Sequence, residues 1–296
     1  MNNWVSCSDA AIERGDHLEG TGSRGLRWLA VELSGAWGHH ALLDSPTTIE
    51  PTLGRAIVRR AEREGMRIVA IRKPGRRRAE KRWRWAVADA RPGQESLRWG
   101  EVDDPHHLLA IHLDRSDGAE SDDPLIAVCA HGKHDRCCAV RGRRAAAAIH
   151  AEFPEWTWEC SHLGGDRFAA TMIVLPHGLY YGRMDTDDPG RPVRLFREGR
   201  VEVARFRGRS SLPEVVQAAQ HHARLRFGSN GIDDLVPLDV TPDGDETDVV
   251  LAGPHGPVVV RVAEYRSEPI FTMCLAHNAG PVRQFRLVSI SAGQHP

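Results

Sequence analysis

Two short blocks constrain this chain more than anything else in it. Cys129-Ala-His-Gly-Lys-His-Asp-Arg-Cys137-Cys138 leaves one hydrophobic run, and Cys160-Ser-His162-Leu-Gly-Gly-Asp166 leaves another about one helix later. Between them they hold four of the six cysteines. Thiolates, an imidazole and a carboxylate carried on two strand-exit loops are a donor set for a metal of the softer kind, iron-sulfur clusters included. The eight residues separating Cys129 from Cys138 exclude the compact Cys-x-x-Cys spacing of zinc knuckles and thioredoxin-type redox motifs.

The rest of the composition narrows the setting. With 296 residues the chain has room for two domains, or for one domain with a substantial annex. Its 39 basic and 40 acidic residues leave a net charge of -1, so no global field draws it to nucleic acid or to a membrane. The N-terminus lacks the basic start and apolar stretch of an export signal, and no apolar run approaches the ~20 residues needed to span a bilayer. A cytoplasmic location is expected. There thiols stay reduced, and clustered cysteines are ligands or redox groups rather than a disulfide framework. Cys7 and Cys274 lie far from both blocks in sequence and read as bystanders.

Periodicity predicts an α/β organisation. Trp28 to Leu33 reads as a strand followed by the loop Ser34 to His40. Leu53, Ile57, Val58 and Ala61 recur at helical spacing up to a stop at Gly65, and Met66 to Ile71 forms the next strand. After a charged turn from Lys73 to Arg82, Trp83, Trp85 and Val87 alternate like a half-buried strand. Asp114 to Asp123, with five acidic residues in ten, reads as a linker.

Beyond it, Leu125 to Val128 is a short buried strand, and Ala145 to Ile149 supplies a helix. Trp156, Trp158, Cys160 and His162 alternate, so they share one face if the strand stays extended. Met172 to Leu175 and Leu179 to Tyr181 are two more strands, and Leu212 to Phe227 is a helix ended by Gly228. The last stretch predicts an antiparallel meander of Asp248 to Leu251, Val258 to Val262, Ile270 to Cys274 and Phe285 to Ile290. Both halves run strand, Gly-containing loop, helix, strand. The first lacks cysteines in its loop and reads as a degenerate copy with a scaffold role.

At this point the motifs become recognisable. Cys-x-His-Gly-x-x-Asp-x-x-Cys, then Cys-Ser-His-x-Gly-Gly-x-x-Phe-Ala, then Pro-x-Gly with Tyr-Gly, resembles the sucrase/ferredoxin-like family, and the arrangement is similar to that of its bacterial members. The resemblance is strong from Val128 to Arg183 and weaker in the Cys7 segment, in Trp28 to Gly38 and in the final meander. It implies a thioredoxin-like ferredoxin domain, and joined to the residue patterns above this gives an α/β fold with an N-terminal α/β domain over 1–113, a linker over 114–123, the ferredoxin domain over 124–228 and a small antiparallel β annex over 229–296. It further implies a 2Fe-2S cluster used for electron transfer.

By position the family's two cysteines fall on Cys129 and Cys138, and its first histidine falls on His162. The second histidine falls on Asp166, so His-x-x-x-His has become His-x-x-x-Asp. The fourth donor is left among Asp166, Cys160 and Cys137. An anionic Asp166 ligand makes the site more reducing than a bis-histidine one. With His162 as ligand, a proton on its outer nitrogen should make the potential depend on pH.

Other readings remain beside this one. Cys160 on an aromatic-flanked strand is equally a core residue. His131 and His134 are expected as outer hydrogen-bond donors or solvated side chains, and Asp135 as a helix cap or a partner of Arg136 or Arg167. A thiol-dependent redox enzyme would use Cys137 or Cys138, and a zinc-stabilised binding module would use the same donors for folding alone. An electron carrier needs a protein redox partner. The eight basic residues from Arg72 to Arg84 read as a solvated hairpin rather than a nucleic-acid surface, because the tryptophans among them alternate as core residues do, with docking of an acidic redox partner as an intermediate use. Oligomeric state is not encoded legibly. A glycosidase is excluded for want of a paired acid and nucleophile, and Ser161 has no Gly-x-Ser-x-Gly elbow around it.

Overall fold

The computed structural model describes residues 6–75, 83–114 and 116–292. Most of the charged turn after Lys73, including Arg76, Arg77 and Arg78, lies outside the described residues. A helix α1 (Cys7–Glu13) precedes β1 (Arg27–Glu32), α2 (Pro51–Arg63), β2 (Met66–Arg72), β3 (Trp83–Asp89) and β4 (Ser96–Val102). The acidic stretch that follows carries a two-residue strand, β5 (Ala119–Glu120), paired with β4. Then come β6 (Leu125–Cys129), α3 (Arg143–Glu152), β7 (Thr157–Cys160), β8 (Met172–Leu175), β9 (Leu179–Tyr181), α4 (Arg191–Arg197), β10 (Phe206–Arg209) and α5 (Glu214–Phe227). The C-terminal strands are β11 (Pro237–Asp243), β12 (Glu246–Gly253), β13 (Gly256–Arg266) and β14 (Arg283–Ala292).

Strands β1 to β10 form one mixed sheet in the order β10-β9-β8-β6-β7-β2-β1-β3-β4-β5. Within it the same unit occurs twice. β1-α2-β2 is a parallel pair flanked by antiparallel β3 and β4, and β6-α3-β7 is a parallel pair flanked by antiparallel β8 and β9. Each unit reads 4-3-1-2 across the sheet, the thioredoxin-like order. The two meet through β2 and β7, which pair antiparallel at Ile71 with Cys160 and Arg72 with Glu159.

Strand alternation sorts the apolar residues into two faces. Leu29, Val31 and Ala70 face Leu53, Ile57 and Ala61 of α2, while Ile126 and Val128 face Ala145, Ala146 and Ile149 of α3. Each fully buried Leu or Ile here contributes about 2 kcal/mol. On the other face a single cluster crosses both units and takes in Trp28, Ala30, Ile71, Ala127, Cys129, Trp158 and Cys160. The start of α2 is set locally: Glu50 accepts the Thr52 and Leu53 N–H groups at 2.9 and 2.8 Å, with Pro51 as first helical residue.

The annex is a four-stranded antiparallel sheet in the order β11-β12-β13-β14, packed on α5 through Val216, Ala219, Ala223, Val249, Val260 and Val262. Two of the sequence expectations need correction. Ile270 to Cys274 is not a strand; it belongs to an irregular loop between β13 and β14, held to itself by a bridge between Ile270 and Gly280. β7 ends at Cys160, so His162 does not continue the Trp158–Cys160 face. The ending has a physical cause: Ser161 gives its N–H to the Ala70 carbonyl at 2.8 Å and takes the Ala70 N–H on its hydroxyl at 3.0 Å, closing the edge of β2 and turning the chain. No helix among the described residues is long and apolar enough to cross a membrane.

Candidate metal centre

The loop after β6 and the loop after β7 leave adjacent parallel strands at the same end of the sheet, because Cys129 and Cys160 are register partners. The first loop re-enters a helix through a π-helical turn, Cys138–Gly142, immediately before α3. Gly142 sets how closely that turn approaches. A Cβ there would lie 1.8 Å from the Cys129 carbonyl oxygen, so only glycine lets the helix sit against the strand end and bring the two thiols together. The second loop is clamped from behind by Arg207, which is buried, donates to the Gly164 carbonyl at 3.0 Å and to the Thr21 carbonyl at 2.5 Å, and lies over the Phe168 and Tyr180 rings.

The four expected donors converge. Asp166 Oδ1 lies 3.4 Å from Cys138 Sγ and 3.1 Å from His162 Nδ1. The Cys129 thiol interacts with both Cys138 and His162. Contact with Cys138 first and His162 next holds the Cys129 thiol well below the ordinary thiol range despite complete burial, while Cys138 is pushed up by Cys129 and by burial. Burial opposes charge on both His162 and Asp166. Their mutual contact and their other neighbours outweigh it, raising His162 to about 10 and holding Asp166 well below the usual carboxylate range. His162 Nδ1 is buried and has no hydrogen bond of good geometry despite its closeness to Asp166. Cys160 sits across from Cys129 inside the apolar cluster, its thiol pushed well up by burial first and by the Cys129 charge second.

Two histidines of the first loop take different parts. His131 accepts the His162 N–H on Nδ1 at 3.3 Å and therefore carries its proton on Nε2, which donates to the Gly38 carbonyl at 2.6 Å. Burial lowers its pKa, keeping it a neutral bridge between three segments. His134 is nearer the donors than an outer group: its ring centroid is 3.8 Å from that of His162, and Nε2 is 3.5 Å from Asp166 Oδ2. His134, His162 and Asp166 form one group whose ligating atoms all lie within 4.8 Å of one another. A cleft of about 220 Å³ opens onto these imidazoles, walled on the far side by His39, His40 and Leu42. A soft pair of thiols, an imidazole with an unsatisfied buried nitrogen and a carboxylate fit the four donors of a 2Fe-2S cluster.

A second group lies beside the first, and its members overturn the reading of Cys7 and Cys274 as bystanders. Cys137 Sγ is 3.3 Å from Cys274 Sγ and 3.7 Å from Cys7 Sγ, and Cys274 Sγ is 3.4 Å from Cys7 Sγ. Asp135 completes the set, with Oδ1 3.2 Å from Cys274 Sγ. The Asp135 carboxylate accepts the Cys137 N–H at 2.7 Å, as a helix cap does, and the Cys274 N–H at 2.6 Å. It makes no ion pair with Arg167, which turns instead to Asp16 at 3.2 Å. Hydrogen bonds from Cys274, Cys7, Ser6 and Ser8 hold Cys137 far below the thiol range, while Cys7 and Cys274 are pushed up, chiefly by Cys137. No spacing signal could have disclosed this meeting, because Cys7 and Cys274 each lie more than a hundred residues from Cys137.

A model of the sucrase/ferredoxin-like family matches residues 20–207, while no curated protein and no solved structure matches the chain. The matched span includes Cys129, Cys138, His162 and Asp166 but neither Cys7 nor Cys274. Since the span is well over half of the residues, the chain belongs to the sucrase/ferredoxin-like family.

Proposed function

We propose that this protein is a one-electron carrier whose 2Fe-2S cluster is held by Cys129, Cys138, His162 and Asp166. The observation that carries the reading is that Cys138 Sγ and His162 Nδ1, from two separate loops, lie against the same Asp166 oxygen at 3.4 and 3.1 Å. When bound, such a cluster supplies reversible one-electron chemistry at a potential set by its ligands. The chain's part is to keep the two thiols dry and to orient His162 through His131. The imidazole edge stays reachable, the His162 and His134 side chains being 32% and 22% exposed toward the cleft. A protein redox partner would approach there.

The placement of the other candidates favours Asp166 as fourth donor. Cys160 is enclosed by apolar neighbours, and Cys137 is engaged with Cys7 and Cys274. His134 is the competitor on distance. Thiol catalysis is disfavoured because Cys129, Cys137, Cys138 and Cys160 are all 0% exposed, out of reach of a substrate. Anaerobic purification followed by visible absorption and iron and sulfide analysis tests the reading. About two irons and two sulfides per chain are expected. A colourless, iron-free protein would sink it.

A further inference from the structure

The Cys7, Asp135, Cys137 and Cys274 group is not needed by the cluster and lies partly outside the family match. We propose that these four residues form a closed Zn²⁺ site that fastens α1 and the β13–β14 loop to the helix bearing Cys138.

Distances argue for a shared ion. Four tetrahedral Zn–S bonds of ~2.3 Å put the sulfurs ~3.8 Å apart, whereas a disulfide holds them at ~2.05 Å. The three sulfurs here are 3.3, 3.4 and 3.7 Å apart, a near-equilateral triangle far too wide for any disulfide. Asp135 Oδ1 caps it, 3.2 Å from Cys274 Sγ and 3.9 Å from Cys7 Sγ. Three thiolates and a carboxylate gathered this tightly enclose one ion, and four protein donors leave no open position for chemistry.

The surroundings are those of a thiolate site. The Ser6 and Ser8 hydroxyls each lie 3.2 Å from Cys137 Sγ, and two backbone N–H groups orient the Asp135 carboxylate. Cys7, Asp135 and Cys137 are buried. The loop carrying Cys274 is closed at its base by the Ile270–Gly280 bridge and by the Ser267 N–H on the Val282 carbonyl at 2.9 Å, and away from that base the Cys274 N–H meets Asp135 at 2.6 Å. An ion shared by residues 7, 137 and 274 would add to that backbone contact a direct tie to α1 and to the Cys137 turn.

The test uses the full chain and reads zinc and iron separately. Wild-type protein should carry about one zinc per chain in addition to any iron. Cys7→Ser/Cys274→Ser should lower zinc by about tenfold or more while leaving iron and visible absorption within about twofold. Cys129→Ser/Cys138→Ser should do the reverse. Should the first variant fail to fold, the second still decides: stripped of metal and titrated with Co²⁺, it should take up about one equivalent with a thiolate-to-cobalt charge-transfer band that Zn²⁺ abolishes. Zinc-free wild type, iron at the Cys7–Cys274 group, or a disulfide among these three cysteines by mass spectrometry would each overturn the proposal. Wild-type iron and sulfide content reports on the electron-carrier reading independently, so the two can fail separately.

Discussion

The two units of the ten-stranded sheet share one plan and use its first loop in different ways. In both, the helix after the first strand carries a glycine pressed against a carbonyl oxygen: a Cβ on Gly54 would lie 1.8 Å from that of Leu42, as one on Gly142 would from that of Cys129. The close approach of helix to loop is therefore common to both. Only the second unit exploits it with donors, since the first-unit loop from Leu33 to Ile49 contains no cysteine. That loop instead folds over its counterpart. The Gly38 carbonyl accepts the His131 Nε2–H, the Trp37 ring meets His131 edge-on at 5.6 Å, and His39 and His40 wall the cleft. The unit without cysteines in this loop thus walls the one that carries the clustered donors.

The comparison can be broken most decisively at the donors. Cys138→Ser should remove nearly all bound iron and its visible absorption, whereas Trp37→Phe in the first unit should leave iron content within about twofold; both are read by metal analysis. Equal loss in the two variants would mean that the first unit contributes more than a wall.

The paired glycines sharpen it next. Gly54→Ala and Gly142→Ala should each cost about 3 kcal/mol in denaturant unfolding, because backbone must shift to admit the methyl group. Only Gly142→Ala should also lower iron content. If both variants kept iron, the spacing of Cys129 and Cys138 would not depend on that helix.

A smaller effect is expected where the units are stitched together. Arg72 pairs with Glu159 at 2.8 Å, stacks over Trp37 at 4.0 Å and donates to the Gly35 carbonyl at 2.6 Å. Arg72→Met should cost about 2 kcal/mol, with 17% and 10% side-chain exposure of the pair leaving it only partly screened. An unchanged unfolding midpoint would show that the shared apolar cluster and the β2–β7 ladder hold the units together without this ion pair. Least costly to stability is Asp166→His, which should stay within about 1 kcal/mol of wild type yet raise the reduction potential by ~100 mV or more, as a neutral ligand replaces an anionic one. An unmoved potential would transfer the fourth-ligand role to His134.

Much of this was legible in the residues. The strands at 27–32, 66–72, 125–129, 172–175 and 179–181 and the helices after Pro51 and Pro213 follow from periodicity and local caps, which need nothing beyond the neighbouring chain. α1, α4, β4, β5, β10 and β11 escaped notice. β11 is exposed along most of its length, and β4 alternates only weakly, so neither carries a strong pattern of its own. That Cys129, Cys138, His162 and Asp166 come close together was expected from spacing and family resemblance. His134 was set aside because a loop histidine three residues past another shows no sign of which way it will turn.

What the sequence determined by itself is therefore local: where strands start, where helices stop, and that two donor-rich loops leave neighbouring strands. Which donors meet was decided only in three dimensions. Cys137 and Cys138 are adjacent in the chain, yet on a helical turn successive side chains diverge by about 100°, sending Cys137 toward Cys7 and Cys274 and Cys138 toward Asp166. Cys274 arrives only because the annex packs on α5 and returns its loop to α1. No local pattern encodes that return, because it depends on buried surface summed over strands and helices far apart in the chain.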